Sequence, residues 1–204
     1  AHSDEAEKYS AAAFATKHED AIYFSKRVTR AVPSLIVGSV DVYKEELDYE
    51  CELAVVLGRD AKDVPAGQTR DYVFGYTILN DVSARDVQTA HKQWYFGKSL
   101  DGFTPIGPCI VTADEFEAYP PKLPIRCFVN GEKRQDSNTG LQIFNIDHVI
   151  AELSQGMTLR AGTIIATGTP AGVGMGMDPP RFLVPGDEVR CEIEGIGTLT
   201  NTVR

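Results

Sequence analysis

Residues Tyr49–Leu57 read Tyr-Glu-Cys-Glu-Leu-Ala-Val-Val-Leu, and this stretch decides the fold. Side chains alternate across a strand, so Cys51, Leu53, Val55 and Leu57 line one face. Glu50 and Glu52 lie on the other, followed by Ala54 and Val56. Two carboxylates about 6.6 Å apart along one strand face can converge on a hard cation. The plainer account is a half-exposed strand with a solvated acidic edge. Ala54 and Val56 weigh against it, because the acidic face turns apolar at once and so reads as covered. A glutamate leaving bulk water wants a countercharge.

Outward from this strand the pattern stays mostly β. Asp71–Leu79 is a second strand, and Ser83-Ala84-Arg85-Asp86 matches a capping box that starts a helix running to about Lys92. A Gly/Pro-punctuated loop over Phe96–Pro108 leads into the strand Cys109–Thr112. Ile125–Val129 followed by Asn130-Gly131 signals a two-residue hairpin. Asp147–Ser154 is amphipathic with Gly156 beyond it, which predicts a helix with a glycine C-cap. Thr163–Ala166 is a buried strand ending in the turn Thr167-Gly168-Thr169-Pro170. Pro185-Gly186-Asp187 introduces a final hairpin with strands near Glu188–Glu194 and Thr198–Val203. Before the decisive strand, Ser3–Phe14 reads as a helix, with short strand-like runs at Ile22–Phe24 and Leu35–Val37. There is no internal repeat and no linker, so residues 1–204 are expected to form one mainly β, α+β domain with a few helices. The chain opens at Ala1 without an initiator methionine, and a longer natural N-terminus is expected.

Composition narrows the classes of function. The 204 residues carry 20 Lys plus Arg against 29 Asp plus Glu, a formal net charge of −9, with 43% hydrophobic and 24% charged residues. These are the proportions of a globular protein, not of a disordered or collagenous one. The pI near 4.9 and the lack of a basic stripe argue against nucleic-acid binding. No apolar run approaches the roughly 20 residues of a membrane span, and no signal peptide is visible. Cys51, Cys109, Cys127 and Cys191 form no CxxC pair, so they are expected to be reduced core thiols. The expected setting is intracellular, in cytoplasm or mitochondrion.

Three constellations carry candidate chemistry. Asp81, at the end of the second strand, is placed to add a third oxygen ligand to Glu50 and Glu52, or else is a turn-forming aspartate. Three carboxylates with open positions suit Mg²⁺ or Mn²⁺ better than zinc, since no paired His or Cys accompanies them. His2 and Glu5 share a face at i and i+3 of the expected first helix, so the carboxylate can hold the imidazole as a base. A histidine near a terminus is otherwise an exposed residue. His18, His91 and His148 read as surface residues. The third group is cationic and polar. Arg85 and Gln88 fall on successive turns beyond Asp81, Lys98 lies in a glycine-containing loop, and Thr167-Gly168-Thr169 offers hydroxyls and N–H groups to a carboxylate. Ala171–Gly176 is glycine-rich but has neither P-loop nor GxGxxG spacing, which excludes nucleotide binding.

These motifs, in this order, resemble the fumarylacetoacetate hydrolase superfamily over nearly the whole chain. The stretches that carry the resemblance are Asp48–Val56, Asn80–Gln88, Gly97–Asp101 with Pro105–Pro108, Thr167–Gly174 and Pro185–Asp187. The resemblance implies a mixed β-sandwich roll, normally a homodimer, with Glu50, Glu52 and Asp81 as ligands of Mg²⁺ or Mn²⁺. It implies that Arg85, Gln88, Lys98 and Thr169 surround the carboxylate and oxo group of a 2-oxo acid. His2 and Glu5 look like an HxxE segment that activates water on a lid, and Phe24-Ser25-Lys26 resembles an F-x-K element near the site. The family's strand before that histidine is absent from this chain. The implied activity is hydrolysis of an acylpyruvate or decarboxylation of oxaloacetate. Isomerisation or decarboxylation of a 2-hydroxyhepta-2,4-diene-1,7-dioate-type substrate is the alternative, alongside a catalytically silent metal-binding relative.

Overall fold

All seven side chains of the strand Cys51–Leu57 are buried, on both faces of its sheet. The computed structural model describes residues 20–29, 31, 35–36 and 46–204. The expected helix Ser3–Phe14, with His2 and Glu5, lies outside the described residues. In chain order the strands are β1 (Leu35–Ile36), β2 (Leu47–Asp48), β3 (Cys51–Leu57), β4 (Val73–Asn80), β5 (Ser83–Ala84), β6 (Ile106–Thr112) and β7 (Pro124–Val129). They continue with β8 (Glu132–Asn138), β9 (Ile164–Ala166), β10 (Glu188–Ile193) and β11 (Gly197–Val203). The helices are α1 (Arg85–Ala90), α2 (Tyr95–Lys98) and α3 (Ile146–Ser154).

The strands form a four-stranded sheet in the order β6-β4-β3-β9, a five-stranded sheet β1-β11-β10-β7-β8, and a short β2-β5 pair. Leu53, Val55, Leu57, Tyr76 and Ile78 of the first sheet share one core with Ile125, Val129, Val189, Ile193 and Leu199 of the second. Each such aliphatic side chain contributes about 1.5–3 kcal/mol by leaving water. The architecture is mainly β, as the sequence pattern led one to expect, and its packed sheets agree with the sandwich that the resemblance implied.

Local chemistry explains the element boundaries. Asn130 and Gly131 both take positive φ, 50° and 80°, which gives the hairpin turn joining β7 to β8 its primed geometry. The Asn145 side chain caps α3 by accepting from His148 N at 2.9 Å, and Gly156 turns left-handed just past the helix at φ 76°.

Several expectations need correction. Ser83 does not cap a helix. Its backbone pairs with Asp48 in the β2–β5 ladder and its hydroxyl donates to Asp81 O at 2.9 Å, so α1 begins at Arg85 with uncapped Ala84 before it. The helix ends at Ala90, not Lys92, which takes φ 60°. The Phe96–Pro108 loop contains part of the helical turn α2, and β6 starts three residues earlier than expected. Ile22–Phe24 is exposed and irregular, with no strand paired to it among the described residues. Cys51, Cys127 and Cys191 are buried free thiols as expected, but Cys109 is exposed because β6 lies at a sheet edge. No helix among the described residues is long and apolar enough to cross a membrane.

Candidate metal centre

The β3–β4 ladder brings the three acids together. Cys51 pairs with Asn80, so Glu50 and Asp81 flank the same end of the ladder, one residue beyond each strand. Asp81 N donates to Glu50 O at 2.8 Å, and Glu50 N donates to Asn80 Oδ1 at 3.0 Å, which locks that end. One carboxylate oxygen from each of Glu50, Glu52 and Asp81 lies within 4.8 Å of the others. The three residues are 8%, 3% and 1% exposed, so this is no solvated acidic edge.

Among the described residues, three cations face them. Lys98 Nζ, at the end of α2, donates to Glu50 Oε2 at 2.7 Å and to Asp81 Oδ2 at 2.8 Å. Arg85 forks between Glu50 Oε1 at 2.7 Å and Asp48 Oδ2 at 3.0 Å, and its Nη1 also donates to Gln88 Oε1 at 3.1 Å. Lys26 pairs with Asp81 Oδ1 and donates to Val82 O at 3.2 Å. Glu52 has no cation bonded to it among the described residues. Its Oε2 accepts from Gly168 N at 2.8 Å, in the turn that follows β9. The next residue, Thr169, donates its hydroxyl to Cys51 O at 3.0 Å and accepts from Gln135 Nε2 at 2.8 Å.

Proton affinities follow from this asymmetry. Burial, with the Asp81 and Glu50 charges nearby, pushes the Glu52 carboxyl up to about 8, against the opposing pull of Lys98 and the Gly168 N–H. Burial acts the same way on Asp81, but Lys26 and Lys98 outweigh it and hold that carboxyl down at about 2. For Lys98 burial works downward, yet the Asp81 and Glu50 carboxylates raise its affinity overall. Lys26 goes the other way, since its burial outweighs Asp81.

The structure thus brings together Glu50, Glu52, Asp81, Arg85, Gln88, Lys98 and Thr169, all buried. His2 and Glu5 lie outside the described residues, while His91 and His148 are exposed as expected. Three contributors escaped the sequence reading. Asp48, fully buried, accepts from Tyr49 N, Gly174 N, Met175 N and Arg85 Nε at 2.7–3.0 Å, tying the late glycine loop to the cationic group. Its signal was present, since it opens the same acidic run as Glu50 and Glu52. Asn80 and Gln135 act through backbone and hydroxyl bonds that no local pattern announces. Surface cavities of about 460 and 360 Å³ lie elsewhere, the first lined by residues such as Arg59 and Phe74, the second by Arg134 and Arg181.

The donor set fits a hard divalent cation. It is all oxygen, it is buried, and it includes a carboxyl to which no cation is bonded among the described residues. Sequence comparison agrees with this geometry. The chain belongs to the fumarylacetoacetate hydrolase family: the family described as fumarylacetoacetate (FAA) hydrolase C-terminal matches residues 1–204. Among solved structures, a fumarylacetoacetate hydrolase from psychrophilic Exiguobacterium antarcticum is 41% identical, with 100% of this chain and 72% of that chain covered at a TM-score of 0.86. A 2-hydroxyhepta-2,4-diene-1,7-dioate isomerase from Mycobacterium marinum is 43% identical, with 85% and 63% covered at 0.72. A fumarylpyruvate hydrolase from Pseudomonas aeruginosa, in complex with Mn²⁺ and pyruvate, is 29% identical, with 83% and 70% covered at 0.74. The chain spans about half the length of the curated relatives it matches, such as an uncharacterized Staphylococcus epidermidis protein 51% identical over 159 residues.

Proposed function

We propose that this chain is the catalytic part of a divalent-metal-dependent enzyme acting on a 2-oxo carboxylic acid, by C–C hydrolysis of an acylpyruvate or decarboxylation of oxaloacetate. The observation that carries this reading is the buried triad Glu50, Glu52 and Asp81, ringed by Lys98, Arg85 and Lys26. The Pseudomonas hydrolase with Mn²⁺ and pyruvate gives the reading its substrate class.

Glu50, Glu52 and Asp81 would hold Mg²⁺ or Mn²⁺, which supplies Lewis acidity toward the carboxylate and 2-oxo oxygens of the substrate. The remaining steps belong to the protein. Arg85 is fixed by Asp48 and Glu50, so its guanidinium presents a rigid positive edge that orients an anionic substrate. Lys98 sets an ammonium against the negative charge that develops as the C–C bond breaks, in a site where water does not screen it. Gln88 and Thr169 line the substrate's polar groups. His2, with Glu5 to orient it, would take the proton from the attacking water in hydrolysis. Decarboxylation needs no such attack.

Isomerisation of a dienedioate is the second reading, favoured by the greater identity to the Mycobacterium marinum isomerase than to the Pseudomonas hydrolase. The homodimer stands as part of the proposal and is checked by sedimentation. The deciding experiment is turnover of oxaloacetate and acetylpyruvate with Mg²⁺ or Mn²⁺, beside a Glu50→Ala control. Activity that survives both chelation and that substitution would remove the metal mechanism.

A further inference from the structure

Lys98 occupies an unusual position in the cluster. Its ammonium lies between Glu50 and Asp81, 2.7 and 2.8 Å from one oxygen of each, as a cation already bound to two of the three carboxylates. Among the described residues its hydrogen-bond acceptors are those two carboxylates alone, whereas Arg85 is also tied to Asp48 and Gln88 and Lys26 to Val82 O.

We propose that Lys98 is a displaceable counter-ion. It competes with the divalent cation for Glu50 and Asp81 and yields them to the ion when an anionic substrate accepts its ammonium, so that cation and 2-oxo acid load as a coupled pair. This inference rests on the metal-dependent reading above and extends it to how the site is filled.

Two structural features make the exchange local. A Cβ on Gly97 would lie 2.6 Å from Gln88 N and 2.8 Å from Ala84 O, so the backbone of α2 is wedged against α1 and β5. Only the side chain of Lys98 is then free to yield. The Phe24 ring, its centroid already 5.3 Å from Nζ, is a neighbour that the ammonium could keep on leaving the two carboxylates.

Charge explains why an anion should complete the exchange. Among the described residues, the carboxylates Asp48, Glu50, Glu52 and Asp81 face the cations Lys26, Arg85 and Lys98. With a divalent ion bound and all four carboxylates ionised, the cluster would carry an excess of one positive charge, in a site from which water is largely excluded. A monocarboxylate cancels that excess. Linkage then requires that the ion tighten the anion by the same factor as the anion tightens the ion.

The test measures Mn²⁺ binding to the metal-free protein at pH 7, by the electron paramagnetic resonance signal of the free ion, with and without pyruvate as the probe anion. Wild type is compared with Lys98→Met and Lys98→Gln, which remove the charge with and without leaving a hydrogen-bonding group. Without pyruvate, both variants should bind Mn²⁺ about tenfold tighter or more, and pyruvate should tighten the wild type about fivefold but the variants less than about twofold. Equal or weaker Mn²⁺ binding in the variants would make Lys98 a scaffold for the ligands and overturn the proposal while sparing the metal centre. Should the variants fail to fold, a wild-type affinity indifferent to pyruvate overturns it as well. Wild-type protein that binds no Mn²⁺ at all would remove the metal centre, and this proposal with it.

Discussion

Glu52 differs from its neighbours because no cation is bonded to it among the described residues, and its protonation should be visible in stability. The metal-free folded protein keeps a proton on this carboxyl up to about pH 8, whereas an unfolded glutamate releases it near its ordinary value of about 4.3. Stability from this group is therefore complete below the unfolded value and is lost as pH rises through the folded one. Melting temperature measured in chelator should fall between pH 5 and 8, and Glu52→Gln should flatten that slope. A second residue-scale outcome separates the proposed chemistries. His2→Ala should lower acylpyruvate hydrolysis by about 10²–10⁴-fold, the usual worth of a general base, while oxaloacetate decarboxylation stays within a few-fold. Equal losses in both assays would deny His2 that role. At this scale the metal ligands were legible in sequence because alternation puts Glu50 and Glu52 on one face and the following residues show that face to be covered. Asp48 was not. Its role depends on Gly174 N and Met175 N, far along the chain.

At the scale of elements, the cationic side of the site depends on how closely α2 can approach α1. Gly97 is needed there for space, since a methyl group would meet Gln88 N, Gln88 Cα and Ala84 O at 2.6–2.8 Å. Gly97→Ala should therefore push α2 outward and carry Lys98 away from Glu50 and Asp81. The expected cost is about 1–3 kcal/mol in urea unfolding, with turnover reduced far more than the fraction folded. Unchanged activity would show that Lys98 needs no such placement. Element boundaries were partly readable. Asn130-Gly131 determines its own turn because both residues tolerate positive φ. The capping-box pattern at Ser83 misled, because ladder pairing with β2 claimed that backbone first. A side-chain cap competes poorly with strand hydrogen bonds supplied by a distant partner.

Across the whole molecule, the sandwich places a charged cluster at one end of a sheet whose other contacts are apolar, so ion binding should stabilise the entire fold. At a free Mn²⁺ concentration of about 100 times Kd, mass action adds about 2.7 kcal/mol. For a domain of this size that raises the melting temperature by roughly 5–10 °C, as differential scanning fluorimetry would show. Chelation should reverse the shift, and Glu50→Ala should abolish it. The sequence by itself determined the strand that starts the fold, the alternation that buries both its faces, the two-residue hairpin turn, and the identities of the three acids. Those are local matters of period 2 and backbone preference, and they need no knowledge of distant partners. Only the tertiary structure decided that Lys98 bridges Glu50 and Asp81, that Lys26 joins them from an irregular segment, and that Asp48 anchors Arg85 and the glycine loop. Buried charges must be matched in three dimensions, and residues up to 127 positions apart in the chain do that matching here.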